Sequence, residues 1–185
     1  MKASTSLEEF RMSIQSSSPP QHPLVHRPST WTPPHFPQIK INFDATVNKH
    51  RGFGAIASIA RNNLGHPIAW FCKRIIRIID PMVLELLACR EAALLAKNKS
   101  FHLVCLEGDA QLVIQTTKGS IIQSDLHGIF NDITHLSSVL FDITFNCVPR
   151  AYNSAAHNLA KKILQDDSFE FNPLEQTNFV LFSLN

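Results

Sequence analysis

Ile39-Lys-Ile-Asn-Phe-Asp-Ala-Thr-Val47 alternates apolar and polar residues as a half-buried β-strand does, and puts Asp44 on the face opposite Phe43. Two further acids stand in equally apolar company: Glu85 within Met82-Val-Leu-Glu-Leu-Leu-Ala-Cys89, and Asp109 at the end of Leu103-Val-Cys-Leu-Glu-Gly-Asp109. An isolated carboxylate in such surroundings costs several kcal/mol unless it is paired or bound to a cation. No Lys or Arg lies in register beside all three acids. A shared hard divalent metal offsets the three charges together. Oxygen ligands drawn from separate elements suit Mg²⁺, and such sites serve phosphoryl chemistry. Taken singly, Asp44 also reads as an edge residue in solvent, Glu85 as a helix-surface residue and Asp109 as a helix N-cap. Glu85 resists this most, because its neighbours on both sides are apolar.

Outward from the first strand, Gly52 to Arg61 reads as a second strand, Asn62-Asn-Leu-Gly65 as a turn, and His66 to Ile75 as a third strand, an antiparallel meander. Asp80-Pro81 supplies an N-cap and a first-turn proline, opening a helix through about Lys97. His102 to Glu107 is a short apolar strand, and Asp109 leads at once into a short helix, Ala110 to Lys118, closed by Gly119. Ligands gather at such strand-to-helix junctions. A helix from Asp125 to Ser138, a strand from Phe141 to Val148 and a last helix from Asn153 to Gln165 complete the order. Hairpins followed by alternating strands and helices predict an α/β fold with a mixed sheet and helices on its faces.

With 185 residues, 44% apolar and 17% charged, the chain supports one domain with a substantial core. Residues 1–37 contain seven of the eleven prolines and no hydrophobic period, which predicts a disordered linker or tail ahead of a domain at 38–165, with a second tail at 166–185. No apolar run is long enough for a membrane span, and the amino terminus lacks a secretory signal, so an intracellular, non-secreted protein is expected, in nucleus or cytoplasm. Cys72, Cys89, Cys105 and Cys147 lack metal-knuckle spacing and read as reduced core residues. A net charge of +2 does not by itself announce nucleic acid, and the clusters Lys73/Arg74/Arg77 and Lys97/Lys99 read as solvated faces.

The order of elements, with acids in the first strand, the first helix and after the fourth strand, resembles the ribonuclease H fold. The strings Lys40-Ile-Asn-Phe-Asp-Ala45, Gly52/Gly54 with Arg61 and Gly65, Glu85-Leu-Leu-Ala-Cys-Arg-Glu-Ala92, Glu107-Gly-Asp109, and Val148-Pro-Arg-Ala-Tyr-Asn153 through Ala156-His-Asn-Leu-Ala-Lys161 resemble type 1 ribonuclease H domains of the plant retroelement-derived branch. Trp31-Thr-Pro-Pro34 resembles that branch's lead-in. The resemblance implies a five-stranded mixed sheet, three antiparallel strands then two parallel, with helices on both faces. It implies hydrolysis of the RNA strand of an RNA–DNA hybrid by two Mg²⁺ ions held by four carboxylates; the chain is expected to be a monomer. Asp44, Glu85 and Asp109 fall on three of those positions, and His157 falls on the fourth, where the family has an acid. A neutral imidazole is a softer ligand that brings no negative charge, so slow, Mn²⁺-favoured or absent cleavage is expected. His157 facing solvent at a helix start is the simpler alternative. The resemblance implies that Arg150 and Asn153 face nucleic acid; Arg150 also reads as a phosphate or carboxylate clamp, and Asn153 as the N-cap of the last helix. The family's loop histidine has no counterpart by motif, and His127 and His135 are near its place in sequence only.

Other classes fit less well. Phe43-Asp-Ala-Thr-Val47 resembles the nucleophile strand of aspartate-based phosphatases, but position 46 is Thr where those enzymes, and Asp-x-Glu exonucleases, need an acid. A domesticated module that keeps the fold and binds nucleic acid without cutting it is the non-enzymatic alternative, and His157 is the residue that separates the two. Trp31 and Trp70 could stack on bases, although Trp70 has the apolar neighbours of a core residue.

Overall fold

The computed structural model describes residues 30–117, 126–140 and 142–166. The expected tails through residue 29 and from residue 167, together with Gly119, Asp125 and Phe141, lie outside the described residues. Strands β1 (Ile39–Asn48), β2 (Phe53–Arg61) and β3 (Pro67–Ile76) are followed by helix α1 (Pro81–Asn98), β4 (Leu103–Gly108), α2 (Gln111–Thr117), α3 (His127–Val139), β5 (Asp142–Cys147) and α4 (Ser154–Gln165). A 3₁₀ turn, Arg150–Asn153, leads into α4. The strands form one five-stranded sheet in the order β3-β2-β1-β4-β5. β1 pairs antiparallel with β2 and parallel with β4, β2 pairs antiparallel with β3, and β4 pairs parallel with β5. The predicted elements are all present, and the ends that fall among the described residues shift by a residue or two.

Local chemistry sets the corners. Asn62 Oδ1 accepts from the amides of Leu64 and His66, and Gly65 takes the positive φ of +77° that lets the chain return into β3. Asp80 caps α1 by accepting from the amides of Met82 and Val83, and Pro81 follows at the first turn. At the far end of α4, Arg74 donates to the carbonyls of Ile163 and Asp166 at 2.9 and 2.7 Å, satisfying groups the helix leaves open.

α1 lays Leu84, Leu87, Ala88 and Ala92 on Ile41, Phe43 and Ile56. Each large side chain removed from water there contributes about 1.5–3 kcal/mol. On the opposite face, Ala160 and Ile163 of α4 pack on Ala55, Ala57 and Cys72, small residues that let the helix approach closely. Helices therefore cover both faces, and the half-buried reading of β1 is corrected: Ile41, Asn42, Phe43 and Asp44 are all buried. The alternation is real, but the strand is central in the sheet and α4 covers its polar face. A second correction concerns the cysteines. Cys72, Cys89 and Cys105 are buried, whereas Cys147 is exposed because it ends the edge strand β5.

Candidate metal centre

The pairing of β1 with β4 runs from Ile39 to Asn42 on the β1 side. Beyond it the two strand ends carry Asp44 and, just past β4, Asp109. Glu85 reaches the same point from α1, one turn in from Pro81. One carboxylate oxygen from each of Asp44, Glu85 and Asp109 lies within 4.8 Å of the others. Close packing keeps this junction in place: a Cβ at Gly108 would come within 2.5 Å of the Phe43 ring.

The protein supplies few donors to this cluster. Glu85 Oε1 accepts from the amide of Ala45 at 3.3 Å, while Glu85 Oε2 is buried with no hydrogen-bond partner among the described residues. Burial, then the charges of Asp44 and Asp109, push the Glu85 carboxyl up to about 8. Asp44 is raised to about 6, chiefly by burial, against the opposing effect of its bond to His157. Carboxyls displaced this far upward lack compensating charge. An orphaned buried oxygen and three converging hard donors fit a divalent cation.

His157 is not loose in solvent. Its Nδ1 lies 3.0 Å from Asp44 Oδ2, and its side chain is 23% exposed. It contacts one member of the cluster rather than joining the set whose oxygens converge. Arg150 lies over it, with guanidinium nitrogen to ring nitrogens at 3.3 and 3.4 Å, and reaches Asp109 Oδ2 at 4.0 Å.

Of the pair expected to face nucleic acid, Arg150 is exposed and Asn153 is fully buried. The cap reading of Asn153 is corrected too: it stands at the N-cap position of α4 but makes no capping side-chain bond. Its amide instead donates to the Phe43 carbonyl at 2.8 Å and to Asp44 Oδ1 and Asp109 Oδ1, both at 3.3 Å. The Phe43 carbonyl lies just past the end of the β1–β4 ladder, and a buried carbonyl demands a donor more strongly than an exposed helix start does. His127 and His135 are exposed on α3.

The sequence reading assigned no site role to Asn42, Glu107, Arg61 or Lys40. Asn42 and Glu107 face each other across the parallel pair, and Asn42 Nδ2 donates to Glu107 Oε2 at 3.2 Å. Lys40 pairs with Glu107 at 3.0 Å, Trp31 Nε1 donates to it at 2.7 Å, and Arg61 donates to Asn42 Oδ1 at 2.6 Å while lying over the Trp31 ring. The signal was present in the two-residue spacing of Lys40, Asn42 and Asp44, and of Glu107 and Asp109, which puts each set on one face of its strand. Contacts with the domain thus begin ahead of residue 38.

Comparison with known proteins gives the family and the fold. The model of a family described as reverse transcriptase-like matches residues 42–163. Among solved structures, RNase H1 from the halophilic archaeon Halobacterium salinarum is 26% identical, covers 69% of this chain and 97% of its own, and superposes with a TM-score of 0.64. The amino-terminal RNase H domain of a Mycobacterium tuberculosis protein is 20% identical, with 68% and 91% covered and a TM-score of 0.63. LC11-RNase H1, solved in complex with an RNA/DNA hybrid, is 19% identical, with 67% and 94% covered and a TM-score of 0.61. Comparison with curated protein sequences gives no match. Among the described residues no helix is long and apolar enough to cross a membrane.

Proposed function

This chain belongs to the reverse transcriptase-like family and has the ribonuclease H fold, and from that premise we propose that it binds RNA–DNA hybrids and hydrolyses their RNA strand in a divalent-metal-dependent reaction. The convergence of Asp44, Glu85 and Asp109 around an unpartnered Glu85 oxygen supports this reading most strongly. Asp44, Glu85 and Asp109 would hold the cation, Mg²⁺ or Mn²⁺, which when bound polarises the scissile phosphate and makes water nucleophilic near neutral pH. Asn153 holds Asp44 and Asp109 together by donating to both. Arg150, exposed beside Asp109, offers a phosphate clamp at the rim. His157 holds the outer oxygen of Asp44 where the ribonuclease H family is expected to place an acid, and this favours Mn²⁺ over Mg²⁺ at that position. The strings around Asp44, Glu85, Asp109 and Asn153, with the Trp31 lead-in, support descent from the plant retroelement branch.

The substitution at His157 also favours a second reading, in which the domain binds hybrid without cutting it. Cleavage of a labelled RNA–DNA hybrid by the purified chain, in Mg²⁺ and separately in Mn²⁺, decides between them, with Asp44→Asn as control. Cut RNA that disappears in the control is the expected result. Retained hybrid binding with no cutting in either metal selects the binding module.

A further inference from the structure

Four buried or half-buried side chains behind the acids form a continuous hydrogen-bonded path that no expected role accounts for. Trp31 Nε1 donates to Glu107 Oε2 at 2.7 Å, and Asn42 Nδ2 donates to the same oxygen at 3.2 Å. Asn42 Nδ2 also donates to Asn153 Oδ1 at 3.3 Å, and Asn153 Nδ2 donates to Asp44 and Asp109. Asn42, Asn153 and Glu107 are at most 3% exposed, so solvent supplies no substitute partner.

The direction of this path is set the same way at both ends. Asn42 has a cation on its oxygen, Arg61 NH2 at 2.6 Å, and a carboxylate on its nitrogen. Turning the Asn42 amide over would set its oxygen against Glu107 and its NH₂ against the guanidinium, two repulsive contacts in place of two charge-assisted bonds. With Asn42 locked, its NH₂ faces Asn153, which must present its oxygen there and its nitrogen to the acids. If Asn153 were turned over, its oxygen would face Asp44, Asp109 and the Phe43 carbonyl, all acceptors. Arg61 lies 3.2 Å above the Trp31 ring, and Lys40 holds the other oxygen of Glu107 at 3.0 Å, so Trp31 closes the network from outside the sheet.

We infer that Trp31, Glu107, Arg61 and Asn42 are positioning residues: together they hold the Asn153 amide from its oxygen side and so set how far its nitrogen reaches between Asp44 and Asp109 in the metal centre. This deepens, and rests on, the metal-dependent reading of that centre. None of the four touches the cation or the substrate in this role. Trp31 does its part from ahead of the first strand, through an indole N–H rather than through packing alone.

The test uses the full-length chain, with Mn²⁺ titration by paramagnetic resonance and the side-chain NH₂ signal of Asn153 followed by nitrogen-15 NMR. Trp31→Phe removes the N–H and keeps a ring beneath Arg61; Asn42→Leu removes the amide at similar volume. Loss of a ligand's supporting partner weakens metal binding roughly 10–100-fold, so Asn42→Leu is expected to lower Mn²⁺ affinity by about tenfold and Trp31→Phe by a few fold, both shifting the Asn153 signal. Unchanged affinity and an unchanged Asn153 signal in Trp31→Phe overturn the inference, even if its melting temperature falls. If the wild type binds Mn²⁺ no better than Asp44→Asn, the metal reading fails instead, and the Asn153 signal alone still decides whether the path holds that amide. Should Asn42→Leu not fold, Trp31→Phe carries both measurements.

Discussion

Glu107, in the last pleat of β4, and Asp109, just past the strand, are two residues apart, and the molecule handles their charges in opposite ways. Glu107 is 3% exposed, yet Lys40, Trp31 and Asn42 donate to its two oxygens, and the Arg61 guanidinium stands close by. Asp109 shares its surroundings with Asp44 and Glu85, with one Asn153 amide between two of the acids and Arg150 no nearer than 4.0 Å. The first arrangement is complete in itself. The second gathers carboxyls and leaves an oxygen of Glu85 without a partner among the described residues, an arrangement that costs stability until a cation arrives. Burial of an acid is therefore no guide to function; the number of donors facing it is.

The largest expected effect breaks the open side of this comparison. Asp44→Asn should weaken Mn²⁺ binding by roughly 1,000-fold, about 4 kcal/mol, as measured by calorimetric titration, while leaving the Glu107 contacts untouched.

The next concerns pH without metal. Glu85 has its carboxyl raised from 4.5 to about 8 in the folded chain, so its protonated form is favoured by folding. Its contribution to stability is complete below its unfolded value and is lost as pH rises through the folded one. Stability of the metal-free protein in urea should therefore fall by on the order of 3 kcal/mol from about pH 5 to pH 8.5, and Glu85→Gln should flatten that slope. Saturating Mn²⁺ should reverse the trend, because the cation binds the deprotonated acids and its affinity falls as pH drops through the same window.

A smaller effect tests the closed side. Glu107→Gln removes the charge of the Lys40 ion pair and turns one acceptor oxygen into a donor facing donors, and should destabilise by about 2 kcal/mol in thermal or urea unfolding, below the full cost of breaking a deeply buried pair because Lys40 is partly exposed. Least of all, His157→Asp should raise Mg²⁺ affinity by about tenfold, near 1.4 kcal/mol, by putting a hard anionic ligand beside Asp44. Unchanged Mg²⁺ binding alongside loss of binding in Asp44→Asn would place His157 outside the metal's shell.

The three acids were legible because each interrupts or ends an apolar run, and a charge in such a place is visible without coordinates. The order of elements was legible for the same kind of reason: period-two strands, the Asp80-Pro81 start of α1 and the Asn62–Gly65 turn are local signals. Asn153 was misread as a cap because its neighbours in sequence pointed that way, while its partners Phe43, Asp44 and Asp109 lie 44 to 110 residues off. Trp31 fell in a proline-rich stretch with no hydrophobic period, and its bond to Glu107 spans 76 residues. Cys147 shared its apolar setting with three buried cysteines, and only its place on an edge strand exposes it.

By itself, then, the chain's sequence determined the succession of strands and helices, the family likeness and which acids have no obvious neighbour of opposite charge, since all of these are written in residue types at short spacing. Only the tertiary structure decided which carboxylate was already neutralised. Lys40, Arg61, Trp31 and Asn42 come to Glu107 through sheet register and the path of the lead-in, and none comes to Glu85, because donors reach a buried oxygen across strands and between layers, where distance along the chain carries no information.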